Sequence, residues 1–278
     1  MRLDTAIVGA TKRLSPSSDS PRLDAEILLC QSIDMPRSYV FAHPEDEVDP
    51  LTLRCFETLM ARRLDGEPMA YIIGMREFWS QELLVSPATL IPRPETELVV
   101  DLALREIPRK AACQILDLGT GSGAIAIAIA VERPLCEITA TDFSVAALAI
   151  AAENVRQMNL PNVTCIEGNW TAPVADKRFD VIVSNPPYVN DDDAALLTLR
   201  YEPRAALAAG GDGLDDLRIL ASDCAAILTK DGCLILEHGA EQQQVVAALL
   251  AAAGWVDIAC HNDLAGKPRV TVARHNGK

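Results

Sequence analysis

The sequence predicts an α/β fold: a doubly wound, mainly parallel sheet, preceded by a small helical region and a β-hairpin linker. Three observations carry that expectation. From Gln114 onward, short β-branched runs alternate with helical stretches, and parallel neighbours need such crossovers. The first 70 residues show helical spacing without strand-like alternation. Between Tyr71 and Ile91 the texture changes to brief apolar runs that suit a hairpin. A chain of 278 residues has room for one large domain and a smaller one. The expected divisions are a helical domain over 1–70, a linker over 71–91 and the sheet domain over 92–278.

Each element has its own justification. Residues 3–14 form the first candidate helix, and residues 21–33 the second, with Leu23, Ile27 and Leu28 at helical spacing. The third covers 49–64: Asp49 can cap it, Pro50 suits its first turn and Gly66 stops it. Tyr71-Ile72-Ile73-Gly74, Glu77-Phe78-Trp79 and Leu83-Leu84-Val85 read as short strands. A proline-rich stretch from Ile91 to Glu97 then opens a helix ending near Ile107. Strands follow at 115–118, 137–142, 163–167 and 180–184, with helices at 124–131 and 145–158 after the first two. A helix over 214–228, a strand over 232–237 and a helix over 242–253 continue the rhythm. Runs at 256–260 and 269–272, joined by a short loop, close the sheet, and one of them can be antiparallel.

Composition narrows the class. The net charge of −14 argues against a protein that grips a polyanionic backbone, which needs clustered Lys and Arg. The eight cysteines are scattered, without a C-x-x-C pair, as expected of small core residues in a reducing compartment. No signal-like start is visible, and apolar stretches such as 245–253 are too short to span a bilayer. A cytoplasmic protein without metal or membrane partner is the expectation.

Two motifs carry chemistry. Asp117-Leu118-Gly119-Thr120-Gly121-Ser122-Gly123 lies between the first strand of the sheet domain and its helix. Glycines there let the backbone turn tightly and a ligand approach. Asp142, at the end of the next strand, can accept hydrogen bonds from ribose hydroxyls. Together they fit a dinucleotide or S-adenosylmethionine, and the G-x-G-x-G spacing favours the latter, which has no pyrophosphate to hold. Asp117 can orient the loop or meet an ammonium group. Asn169 and Trp170 follow the third strand, where Trp170 suits an adenine wall or core packing equally. The second motif, Asn185-Pro186-Pro187-Tyr188, closes a buried apolar run. Its prolines remove two donors and stiffen the turn, so its carbonyls and the Asn185 amide can receive a planar –NH2 group. The four residues alone are equally a rigid surface turn.

In this order, the glycine loop, Asp142, Gly168-Asn169-Trp170 and Asn-Pro-Pro-Tyr resemble class I methyltransferases acting on planar nitrogens, adenine N6 included. The resemblance continues in Phe78-Trp79, in the run from Pro87 to Glu97, in Tyr201-Glu202-Pro203-Arg204-Ala205-Ala206-Leu207, in Gly211-Asp212-Gly213-Leu214 and in Leu236-Glu237-His238-Gly239. Across nearly the whole chain it is similar to the peptide chain release factor N5-glutamine methyltransferase family (PrmC/HemK). That resemblance implies a Rossmann-like methyltransferase domain and methyl transfer from S-adenosyl-L-methionine to the glutamine of a Gly-Gly-Gln motif. The partners it implies are class 1 peptide chain release factors, with no direct nucleic-acid binding.

By position, Gly119, Thr120, Gly121, Ser122, Gly123, Asp142 and Trp170 would hold the cofactor, with Asn185 bordering it. Asn185, Pro186, Pro187 and Tyr188 would hold the glutamine, with Asn185, Pro186 and Tyr188 as catalytic groups. Arg93, Glu95, Thr96, Glu97 and Arg204 are polar enough to line a cleft, though Glu95 and Glu97 suit helix capping equally. His238 reads as structural. Ser80 stands where glycine is common in the family, which puts the local turn in question. A nucleic-acid adenine methyltransferase, a non-catalytic cofactor-binding module and an NAD-dependent oxidoreductase are the rival readings.

Overall fold

Caps and helical spacing decide the N-terminal region. It folds as α1 (Leu3–Leu14), α2 (Pro21–Ile33), α3 (Arg37–Ala42), α4 (Pro50–Leu64) and α5 (Met69–Ile73). Asp49 caps α4: its carboxylate accepts from the Leu51 and Thr52 N–H groups, and Pro50 fills the first turn. Helices α1, α2 and α4 bury Leu14, Leu28, Leu29, Phe56 and Met60 in one core. Each such side chain contributes roughly 1.5–3 kcal/mol on burial. Asp24, buried on α2, receives Arg63 Nε of α4 at 2.8 Å and the Ser18 hydroxyl at 2.8 Å.

The computed structural model describes residues 1–275, which divide into a unit Met1–Met75 and a second unit from Arg76 onward. The sequence suggested a division near residue 70, with Tyr71-Ile72-Ile73-Gly74 as a strand. That stretch is helical instead. Ile72 packs into the helical core, Tyr71 is buried, and Gly74 ends α5 at φ +79°. A β-branched pair in a run this short cannot distinguish strand from helix.

The hairpin is β1 (Met75–Phe78) and β2 (Gln81–Leu84). Its two turn residues, Trp79 at φ +50° and Ser80 at φ +57°, are both left-handed, the turn whose twist suits flanking strands. Ser80 therefore occupies a conformation that glycine adopts at lower cost.

The second unit continues with α6 (Glu97–Glu106), β3 (Gln114–Leu118), α7 (Ala124–Glu132), β4 (Glu137–Asp142), α8 (Val145–Gln157), β5 (Val163–Glu167) and β6 (Phe179–Ser184). Then come α9 (Ala195–Thr198), α10 (Asp215–Asp223), β7 (Leu228–Glu237), α11 (Gln243–Ala252), β8 (Trp255–Asn262) and β9 (Pro268–His275). The seven-stranded sheet runs β5-β4-β3-β6-β7-β9-β8, parallel except that β9 is antiparallel to both of its neighbours. The helix expected to reach residue 228 stops sooner, at Asp223, and β7 begins at Leu228.

Strand alternation builds a core on each face. Ile115, Val181, Val183, Cys233 and Ile235 point to the face covered by α6 and α7. Leu116, Leu118, Ile182, Leu234 and Leu236 point to the other, with Leu217, Leu220, Val246 and Leu250 of α10 and α11. Helix α7 is buried from Ala124 through Ala130, so it is apolar all round. Strand order reverses between β3 and β6: the chain moves outward from β3 to β5 and returns to β3's other side. In such sheets the crevice beyond the strands' carboxyl ends at the reversal is where ligands bind. No described helix is long and apolar enough to cross a membrane.

Candidate active site

The reversal sets the two motifs side by side, since Leu118 pairs with Ser184 across β3 and β6. Above them opens a cavity of about 680 Å3, within the range of small-molecule sites. Its lining includes Gly119, Thr120, Gly121, Ser122, Asp142, Trp170, Asn185 and Pro187 from the sequence-expected set. Gly123, Pro186 and Tyr188 are not in the lining. Gly123 is the N-cap of α7, Pro186 is buried, and Tyr188 turns its hydroxyl to Glu237 Oε1 at 3.2 Å.

The glycine loop is shaped by its own neighbourhood. Gly119, Gly121 and Gly123 all have left-handed φ, at +71°, +58° and +85°. The Gly119 and Thr120 N–H groups donate to the Thr141 carbonyl at 2.9 Å. Asp142 is clasped by backbone: Oδ2 accepts from Gly121 N at 2.9 Å and Oδ1 from Ser144 N at 2.8 Å. A Cβ on Gly119 would meet Trp170 Cζ3 at 3.3 Å, so the indole lies directly against the loop. Asp216, beside Trp170 and also in the lining, is pushed upward in pKa by burial, and the indole opposes that shift.

Asp117 lies beneath the loop, fully buried. Its Oδ2 accepts from the Thr120 hydroxyl at 2.6 Å and from Ala126 N at 3.2 Å, while Oδ1 has no partner among the described residues. Burial pushes its carboxyl up to about 7. Of the two roles its position suggested, orienting the loop is the one with contacts. Asn154 of α8 steadies the loop from outside: its Nδ2 donates to the Ser122 carbonyl at 2.9 Å and to the Leu84 carbonyl at 3.0 Å, and its Oδ1 accepts from Leu84 N at 2.7 Å.

The acceptor side is assembled from distant parts of the second unit. Asn185 Nδ2 donates to Thr96 Oγ1 at 3.1 Å, which leaves Oδ1 as the acceptor for a ligand. The Tyr188 and Val189 N–H groups both donate to the Leu207 carbonyl, and Gln242 Nε2 donates to the carbonyls of Tyr188 and Gly213. A Cβ on Gly213 would stand 2.4 Å from the Tyr188 oxygen, so only glycine allows this approach. Glu237 is almost wholly buried behind Tyr188 and pushed up to about 7 by burial, against the pull of the Thr96 and Tyr188 hydroxyls.

Of the five polar cleft candidates, only Thr96 reaches the cavity. Arg93 pairs with buried Glu202, Glu97 accepts from Trp79 N at 2.9 Å, and Arg204 bonds the Asp191 carbonyl on the surface. His238 is buried against the Thr271 hydroxyl and the Gly239 carbonyl, away from the cavity, which is a structural setting. Sequence reasoning missed Phe143, exposed at the cavity beside Asp142, and Asp216 in the first turn of α10. Their one signal was adjacency to a recognised motif.

The residues fit S-adenosylmethionine. The lining holds two carboxylates, Asp142 and Asp216, and among the described residues no lysine or arginine. That set suits ribose hydroxyls and a cationic sulfonium better than a pyrophosphate.

Comparison with known proteins agrees on both units. The family model "PrmC N-terminal domain" matches residues 5–74, and "Methyltransferase small domain" matches residues 96–214. The chain is 43% identical over 274 residues to a release factor glutamine methyltransferase of Coxiella burnetii, covering 99% of each. It is 41% identical over 261 residues to the protein of that name from Escherichia coli, covering 93% of this chain and 94% of that one. Among solved structures, a methyltransferase from Pyrococcus furiosus covers 80% of this chain and 100% of its own, with a TM-score of 0.55 at 18% identity; it shares the fold.

Proposed function

The chain belongs to the release factor glutamine methyltransferase family, and from that premise we propose that it methylates the side-chain amide nitrogen of the glutamine in the Gly-Gly-Gln motif of class 1 peptide chain release factors, supporting translation termination. The observation that carries this reading at the site is one cavity lined by the glycine loop and Asp142 and also by Asn185 and Pro187 of Asn-Pro-Pro-Tyr. S-adenosylmethionine supplies an electrophilic methyl group on a sulfonium.

The residues of the chain do the rest. Asp142 would accept hydrogen bonds from the ribose hydroxyls, the 119–123 loop would let the donor approach its backbone, and Trp170 would wall the adenine. A glutamine amide nitrogen is a poor nucleophile, because its lone pair is delocalised into the carbonyl. Asn185 Oδ1 and the Pro186 carbonyl each accept one N–H from it, which fixes the nitrogen, enriches it in electron density and aims it at the methyl carbon. Pro187 stiffens the turn, and Tyr188, outside the cavity lining, anchors its end through the bond to Glu237. Alignment of this kind can contribute up to roughly 7–11 kcal/mol. Carbonyl dipoles facing the nitrogen as it turns positive would add electrostatic stabilisation; the methyl–sulfur bond breaks as the nitrogen–carbon bond forms, and the nitrogen then releases one proton to water.

The helical unit supplies recognition of the release factor. Removing residues 1–70 weakens release-factor binding more than S-adenosylmethionine binding, as calorimetric titration of each would show; the opposite ranking would count against it. The partner is a protein: the net charge of −14 gives no support to direct nucleic-acid binding, and the enzyme works in the cytoplasm away from membranes. The deciding experiment is mass spectrometry of a class 1 release factor after incubation with the protein and S-adenosylmethionine. One added methyl on the Gly-Gly-Gln glutamine supports the function, and an unmodified glutamine beside a methylated nucleic acid overturns it.

A further inference from the structure

The acceptor turn offers few backbone handles. Pro186 and Pro187 carry no N–H, so the first backbone donor after Asn185 is that of Tyr188. Both polar groups of the Tyr188 backbone are engaged. Its N–H donates to the Leu207 carbonyl at 3.2 Å, and its carbonyl receives Gln242 Nε2 at 3.0 Å. The same Nε2 donates to the Gly213 carbonyl at 3.2 Å, while Gln242 Oε1 accepts from the Gly239 N–H at 2.8 Å. These three contacts admit one orientation of the carboxamide. Turned over, it would set its –NH2 against an N–H and its oxygen against two carbonyls.

Helix capping accounts for only one of the three bonds. Gln242 ends the short turn Ala240–Gln242 that leads into α11, and its bond to the N–H of Gly239, three residues earlier, is half of a capping box. Glutamate serves that purpose as well as glutamine, and a carboxylate is favoured at a helix start. The bonds to the Tyr188 and Gly213 carbonyls need a donor, which the amide has and a carboxylate lacks.

We infer that Gln242 is a positioning residue for methyl transfer: its –NH2 clamps the Tyr188 and Gly213 carbonyls together and so fixes the turn that presents Asn185 Oδ1 and the Pro186 carbonyl. The inference rests on the function proposed above. Gln242 does not line the cavity, so it acts through the backbone of the turn. The two prolines have fixed φ, and a shift at Tyr188 is passed along to Asn185 with little absorbed on the way. Misplacing an aligned reactant by about 1 Å can cost about 10²-fold in rate. The glycine loop shares none of these bonds, so cofactor binding is insulated from the clamp.

Two substitutions of similar length separate capping from clamping. Gln242→Glu keeps the cap and turns a carboxylate towards two carbonyls. Gln242→Met loses the cap and both donors but adds no repulsion. The experiment measures S-adenosylmethionine affinity and stoichiometry by calorimetry, and kcat and KM for a class 1 release factor, in wild type and both variants. Expected per cofactor-binding site are kcat losses of about 10²-fold in Gln242→Glu and about tenfold in Gln242→Met, with KM and cofactor affinity within about threefold. A capping role alone predicts the opposite ranking, with the glutamate variant near wild type.

Near-wild-type kcat in Gln242→Glu, or a methionine variant slower than the glutamate one, overturns the inference and leaves the function standing. A loss of cofactor affinity that matches the loss of kcat assigns the effect to general loosening and overturns it too. Should Gln242→Glu fail to fold, Gln242→Met decides: kcat within about twofold of wild type per cofactor-binding site overturns the clamp. A wild-type protein that binds S-adenosylmethionine but methylates no release factor overturns the function itself, and this inference with it.

Discussion

The loop after β3 and the tetrapeptide after β6 leave adjacent strands at the same level, yet they are held by different means. The loop is held mostly by near neighbours: Asp117, Thr120, Gly121, Thr141, Asp142 and Ser144 bond one another within two consecutive strand ends, and Asn154 of α8 ties the Ser122 carbonyl from outside. The tetrapeptide is fixed from afar, by Thr96 before α6, Leu207 and Gly213 beyond α9, Glu237 at the end of β7 and Gln242 before α11. A cofactor common to many folds can be held by a short turn that is bonded largely to its near neighbours. An acceptor site that must orient one amide needs constraint from several directions, and only the tertiary fold supplies them.

The strongest test of this contrast is Asn185→Ala, which removes the acceptor and leaves the loop intact. Methylation kinetics should show kcat lower by about 10²–10³-fold. Cofactor affinity stays within about threefold, and near-wild-type turnover would refute the role of Asn185. Asp142→Ala is the converse. The loss of two backbone bonds to a carboxylate and of its proposed ribose contact should weaken S-adenosylmethionine binding by about 10–10²-fold. At saturating cofactor, kcat recovers most of its value; a kcat that stays low would mean the two ends are not separable.

A third test concerns the carboxyl beneath the loop. Burial lifts Asp117 to about 7, above its value in the unfolded chain. A folded-state pKa raised in this way gives stability that is full below about 4 and is lost as pH rises to about 7. Asp117→Asn, which keeps an acceptor oxygen for Thr120 and Ala126, should raise stability at pH 8 by roughly 1–3 kcal/mol more than at pH 4, at the lower edge of that window. Equal shifts at both pH values would assign the effect to packing. The smallest effect is expected outside both ends. Ser80→Gly relieves a left-handed serine and stabilises by about 0.5–1 kcal/mol in thermal unfolding, with kcat and cofactor affinity unchanged.

What the sequence made legible follows the same division. Helices with caps were readable to the residue, as with Asp49 and Pro50 opening α4, because a cap acts on its own next turn. The parallel strands were readable from apolar runs buried on both faces. Helix α3 was not, since six residues without a side-chain cap leave no signal. The run at Tyr71 took the helical form because Ile72 has a core to join, which no local propensity records. Within the site, the glycine loop and Asp142 announce themselves by spacing, whereas Thr96, Glu237 and Gln242 are brought in by topology. Glu237 could be quoted in a motif, but nothing in the linear sequence says that it would lie behind Tyr188.

Asn154 has a consequence for how the cavity wall is held. One buried side chain spans the end of β2 and the glycine loop, and the segment that leaves β2 supplies Ala88, Thr89, Leu90 and Pro92 to the cavity wall. The wall and the loop are therefore set against a common gauge, itself rooted in a helix. Displacing the start of that wall from the loop would pull backbone groups off the Asn154 amide, so the spacing of the two is held by a side chain that does not itself line the cavity.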